Sequence, residues 1–141
     1  MVPYFISTEQ ANIYNIKRFK NEKKFFQKII LASTEIYNTK YSNQQEATFN
    51  FYELPSNIQQ QLIKKGITSA EFIFQNKNGQ NNVIANFHIE NSWWKIILNN
   101  ISIRYDSYKQ HDECSDNNLD VRLTEICLED GWFFDIDTDW L

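Results

Sequence analysis

The stretch Ala70-Glu71-Phe72-Ile73-Phe74-Gln75-Asn76-Lys77-Asn78-Gly79-Gln80-Asn81-Asn82-Val83-Ile84-Ala85-Asn86-Phe87-His88-Ile89-Glu90 decides the fold. Asn78-Gly79 lies between two apolar runs, and Asn-Gly is the strongest short hairpin signal because both central positions accept positive φ. After it, Val83, Ala85, Phe87 and Ile89 alternate with Asn86, His88 and Glu90, the period-two pattern of a strand with one buried face. The sequence therefore predicts an antiparallel hairpin of 70–75 and 82–90.

Strands continue on the C-terminal side. Trp93–Leu98 and Ile101–Tyr105 form a pair around the turn residues Asn99-Asn100, and Val121–Leu128 and Trp132–Thr138 form a last hairpin around Glu129-Asp130-Gly131. Between them, Asp106 to Asn118 has almost no apolar content and reads as a mobile loop.

On the N-terminal side the elements are helical. Ser7 can cap a helix beginning near Thr8, with Gln10 reaching back. Phe25, Phe26, Ile29, Ile30, Ile36 and Tyr37 then recur at three- and four-residue spacing, carrying a long or broken helix to about Asn38. Ala47–Leu54 reads as a strand ended by Pro55. Ser56 and Gln59 read as the capping box of a short helix, with Lys64 and Lys65 in its last turn and Gly66 beyond. Helix, strand, helix and then five or six antiparallel strands define an α+β class: N-terminal helices packed on one face of a curved, mainly antiparallel sheet, as a single domain over 1–141.

Composition fits this class. The chain has 141 residues, 42% hydrophobic and 16% aromatic, enough for an aromatic-rich core and too apolar for intrinsic disorder. Its three glycines form no phosphate-cradling loop. No window approaches 18 apolar residues, and 1–10 lacks the basic and apolar regions of a signal peptide, so a cytoplasmic protein is expected. Two cysteines, Cys114 and Cys127, are too few for a disulfide framework and compatible with a reducing compartment, and a single bridge between them stays open. Cys127, in an apolar strand, reads as a small core residue.

The net charge of −4 is unevenly divided. Residues 1–42 carry Lys17, Arg18, Lys20, Lys23, Lys24, Lys28 and Lys40 against Glu9, Glu22 and Glu35. From Ile101 onward only Arg104, Lys109 and Arg122 oppose a large excess of Asp and Glu. Such a C-terminal surface repels nucleic acid and attracts a basic partner. The basic side chains of Lys17–Lys28 are expected to spread around their helix, interrupted by Phe19, Phe25 and Phe26, as a solvated face rather than a nucleic-acid stripe.

The last strand is the most informative candidate site. Period two puts Trp132, Phe134 and Ile136 on one face and Asp135, Asp137 and Asp139 on the other, with carboxylates about 7 Å apart. Such a comb can imitate phosphates. Asp135, Asp137, Asp139, Trp132 and Trp140, with Glu129 and Asp130 in the adjoining turn, are the expected partner-binding residues. A calcium loop is excluded because Trp140 stands where its glycine belongs. His88, His111, Cys114 and Cys127 lack the spacing of a zinc set, and the acidic neighbours of Cys114 oppose a reactive thiolate. Neither a catalytic residue nor a metal or cofactor is expected. Of Trp93-Trp94, opposite orientation puts one in the core and the other on an outer face or groove.

In size, acidity and absence of catalytic motifs the chain resembles the immunity proteins of bacterial polymorphic and contact-dependent toxins. That resemblance implies a cytoplasmic, non-enzymatic protein that neutralises a basic cognate toxin, many such targets being nucleases, without itself binding nucleic acid or membrane. It assigns no residue roles. Over about 50–100, the element order with Trp93-Trp94-Lys95-Ile96 is instead similar to the nuclear-transport-factor-2-like cone. That alternative implies a small-molecule or enzymatic pocket lined by Phe49, Phe51, Phe72, Phe74 and Phe87, which otherwise simply fill the core.

Overall fold

A computed structural model of the chain describes residues 8–77, 79–89, 101–109, 125–129 and 131–136. Helix α1 (Thr8–Lys40) is followed by β1 (Glu46–Asn50), a 3-10 turn (Phe51–Glu53), helix α2 (Ser56–Lys64), β2 (Ile67–Lys77), β3 (Gln80–Ile89), β4 (Ile101–Asp106), a second 3-10 turn (Ser107–Lys109), β5 (Glu125–Glu129) and β6 (Trp132–Ile136). The strands form one open antiparallel sheet in the order β1-β2-β3-β4-β6-β5, which confirms the α+β class. The expected strand over Trp93–Leu98 and most of the expected loop over Asp106–Asn118 lie outside the described residues.

Helix α1 spans 33 residues, about 50 Å at 1.5 Å per residue, and so reaches across the sheet. Its buried positions Asn15, Phe19, Phe26, Ile29, Ser33 and Tyr37 keep one face over the strands. Phe19 and Phe26 stack at 5.5 Å, and both meet Trp132 of β6, at 5.0 and 5.8 Å. Phe26 also meets Phe87 of β3 edge-on at 5.4 Å, while Tyr37 stacks on Phe74 of β2 at 4.8 Å. Ser33 is fully buried, and its hydroxyl donates to the Ile30 carbonyl at 2.7 Å, so no polar cost remains.

The predicted hairpin of β2 and β3 forms, with Phe72 opposite Ala85, Phe74 opposite Val83 and Gly79 at φ +78° in its turn. Phe49, Phe51, Phe72, Phe74 and Phe87 are each 5% exposed or less. Phe49 stacks on both Phe72 and Phe74, and Phe72 meets Phe87 edge-on. These rings belong to the buried core cluster.

Strand bounds shift by a few residues, with β2 and β3 running longer toward their turn than 70–75 and 82–90, and two local features differ from expectation. The strand over 47–54 stops at Asn50, because the Asn50 side chain accepts the Tyr52 N–H at 3.0 Å and folds 51–53 into a 3-10 turn. Helix α2 has Pro55, not Ser56, at its N-cap position, and no side chain caps it. The Gln59 amide turns outward from the expected capping box and donates to the carbonyls of Leu54 (2.8 Å) and Tyr52 (3.2 Å), tying the helix to the preceding turn. Gly66 adopts φ +81° just beyond α2, as the C-terminal signal requires. Lys65 then ties α2 to α1 by donating to Glu22 at 2.6 Å and lying 4.8 Å above the Phe25 ring.

Phe26→Ala is expected to lower unfolding stability by about 3–5 kcal/mol, whereas Leu31→Ala, at a position 70% exposed on the same helix, should change it by no more than about 0.5 kcal/mol. Urea titration of the two variants checks the contrast. At the end of α1, the Tyr41 hydroxyl donates to Glu53 Oε1 at 2.6 Å while its ring stacks on Phe49. That hydrogen bond, with lesser contributions from burial and the Glu53 charge, raises the Tyr41 pKa above its usual value near 10. A raised phenol pKa contributes stability that is full below the unfolded value and is lost as pH rises through the folded one. The denaturation midpoint should therefore fall above about pH 10, and less steeply in Tyr41→Phe.

Candidate functional site

The β4-β6-β5 end of the sheet holds the described part of the sequence-predicted site. Ile103 and Phe134 face each other in the core layer, and Arg104 lies opposite Phe133 on the alternate row. Phe133 is only 6% exposed, with the Arg104 guanidinium 5.1 Å from its ring centre. Arg104 donates to Asp106 Oδ2 at 3.2 Å, and the other Asp106 oxygen accepts the Tyr108 N–H at 3.0 Å. The Asp106 N–H in turn donates to the Gly131 carbonyl at 2.8 Å, which locks the β5-β6 turn against the end of β4. Burial, and secondarily the Asp106 charge, raises the pKa of Tyr105 beside this group. The low apolar content after residue 105 suggested a loop, but Asp106 is the buried, fully partnered end of β4.

The alternating pattern of β6 holds for its first residues, and Trp132 shares the core face with Phe134. Trp132 is a core residue, 4% exposed, wedged among Phe19, Phe26 and Tyr105. It anchors α1 to the sheet, and a partner has no access to it in this fold. Trp132, one of the expected partner-binding residues, is thus placed in the core. Glu129 also departs from simple alternation. The register shifts between Cys127, opposite Phe133, and Glu129, opposite Trp132, so an extra residue, the buried Leu128, forms a β-bulge. The bulge turns Glu129 onto the Trp132 side of the sheet, where its Oε1 accepts from Lys23 of α1 at 2.9 Å. Its Oε2 is buried with no hydrogen-bond partner. Glu129 therefore fastens the last hairpin to the helix, an ion pair about one-third exposed and worth up to about 1 kcal/mol.

Asp135 occupies a register position between Ser102 of β4 and Glu125 of β5. The same row continues through His88 to Ser69. Asp130, Asp137, Asp139 and Trp140 lie outside the described residues. Among the described residues, no group of three or more His, Cys, Asp or Glu is placed to hold a metal ion, and no helix is long and apolar enough to cross a membrane.

Cys127 is partly buried and disulfide-bonded, the state that the sequence left open. One feature escaped the sequence reading, the lysines of α1. At 100° per residue, Lys17, Lys20, Lys24 and Lys28 fall within an arc of about 80°, and all four are exposed on the side opposite Phe19 and Phe26. They form a stripe, not the scattered distribution expected. The interruptions by Phe19, Phe25 and Phe26 obscured it, although those rings project elsewhere. The stripe ends at a groove of about 420 Å³ between α1 and α2, lined by Phe25, Lys28, Gln61, Lys64 and Lys65. No protein family, curated protein or solved structure matches the chain.

The bonded state of Cys127 is checked by alkylation of protein unfolded without reductant. The Cys127 peptide should remain unmodified in mass spectra and become alkylated only after reduction.

Proposed function

We propose that the protein is a non-catalytic inhibitor that binds a basic protein through its acidic C-terminal hairpin, in the manner of an immunity protein neutralising a cognate toxin. One observation carries the reading: Asp135 is the direct register partner of Glu125 at the β5 edge of the sheet. Two acidic residues at one register position of the last two strands suit a cationic partner surface. The acidic excess from Ile101 onward extends the same sign of charge around the pair.

Rigidity of the hairpin supports the reading as well. Trp132, Phe133 and Phe134 are all buried, the Asp106 N–H fixes the turn at Gly131, and Lys23 holds Glu129. A hairpin held this way loses little freedom on binding, which favours affinity. The aromatic residues packed between helices and sheet supply no comparable support for a small-molecule pocket. The reading places the protein in the cytoplasm, where it would meet its target before the target acts.

Charge reversal tests it. The triple variant Asp135→Lys, Asp137→Lys, Asp139→Lys, co-expressed with the product of the neighbouring gene, should lose a stoichiometric basic partner that the parent chain retains at low salt. Circular dichroism melting should show the variant folded. Retention of the partner by a folded variant would remove this surface from the mechanism.

A further inference from the structure

We propose that the outer face of α1, with the lysine end of α2, binds the phosphate backbone of nucleic acid without reading its sequence. Lys17, Lys20, Lys24 and Lys28 rise along the helix in steps of about 4.5 to 6 Å, a row of about 16 Å. Lys28 lines the groove between the helices together with Lys64 and Lys65, so Lys64 extends the row past the end of the stripe. Of these side chains, Lys65 already has a carboxylate, Glu22, at 2.6 Å. Lys17, Lys20, Lys24, Lys28 and Lys64 have no ion pair among the described residues. The helix dipole accounts for a lysine at the end of α2 but not for four in the body of α1.

The composition of the face selects the partner. Between Lys17 and Lys28 its remaining exposed positions are Asn21 and Gln27, and the exposed apolar residues of the same face, Ile13 and Leu31, lie beyond the two ends of the row. A protein interface draws its affinity from buried aromatic, aliphatic or Arg anchors, and between its ends this row offers none. A base-reading surface needs aromatic platforms or bidentate side chains, which are also missing from the row. Regularly spaced point charges with polar neighbours suit a regularly charged backbone, contacted through phosphate alone. Among the described residues, the carboxylate that the acidic hairpin brings to α1 is Glu129, and it pairs with Lys23, which lies outside the arc of the stripe.

The proposal stands apart from the inhibitor reading, since no residue of the acidic hairpin takes part. Fluorescence anisotropy of the full chain with a short labelled DNA duplex, its single strand and poly-glutamate tests it across a salt series. Five phosphate contacts predict a slope of about −4.5 in the logarithm of affinity against the logarithm of salt for the duplex, a loss of roughly 500-fold between about 50 and 200 mM. Lys24→Gln should reduce the slope by about 1, and the variant carrying Lys→Gln at 17, 20, 24 and 28 should abolish most of the binding while melting like the parent. The single substitution keeps the test valid if the fourfold variant is unstable. Absence of duplex binding at low salt, a slope unchanged in Lys24→Gln, or tighter binding of poly-glutamate than of either nucleic acid would each overturn the proposal, the last in favour of an acidic protein.

Discussion

The meeting of Phe19 and Phe26 with Trp132 is the interaction on which the other features depend. It joins the first element of the chain to the last strand, so neither α1 nor the β5-β6 hairpin can settle without the other. Offset and tilted rings contribute about 0.5–1.5 kcal/mol per pair beyond the area they bury, and here they continue through Phe87, Phe72 and Phe49 along the sheet. Closure of the fold therefore needs contacts between distant segments, the arrangement that slows folding. It also explains why Trp132 faces inward. The C-terminal hairpin has few residues of its own with which to hold a long helix, and its largest side chain is used for that purpose.

Once α1 is fixed in this way, charge sorts itself between two sides. The helix face over the sheet is apolar apart from satisfied polar groups such as Ser33, so its lysines are left on the outer side. At the other end of the molecule, Asp135 belongs to the register row of Ser102, His88 and Ser69, alternate to the core row of Ile103 and Phe134. Lys23 and Glu129 are where the two sides meet, and they neutralise each other there. The separation seen along the sequence thus becomes a separation across the layers.

Much of this was legible before any coordinates. The β2-β3 hairpin followed from Asn78-Gly79 and the alternation after it, the end of α2 from Lys64, Lys65 and Gly66 although its expected Ser56–Gln59 capping box does not form, and the α+β class from the order of elements. The errors have a common physical origin, since period-two and propensity reasoning describe ideal elements and the chain departs from them locally. A bulge at Leu128 brings Glu129, read as a turn residue, into β5 opposite Trp132, and an Asn50 side chain ended β1 early. The burial of Asp106 depends on Arg104 and on the Gly131 carbonyl, a partner 25 residues away in sequence, which no local pattern reveals. Position β4-β6 in the sheet order, with β5 displaced to the edge, is likewise a choice made by packing. The lysine stripe is different, because simple angular arithmetic on the sequence contained it.

The arrangement bears on how the two surfaces can work together. On the two proposals above, a partner of the acidic hairpin would approach the edge of the sheet, whereas one on the lysines would approach the outer side of α1, with the aromatic core between them. Occupying one side therefore need not obstruct the other. Coupling would have to pass through α1 and the Lys23–Glu129 pair, and a close-packed core of stacked rings transmits displacement poorly unless it has a second packing to adopt. The ion pair alone, partly exposed and weak, is insufficient to drive such a change. The two surfaces are therefore expected to bind independently, joined by a rigid scaffold rather than by a conformational switch.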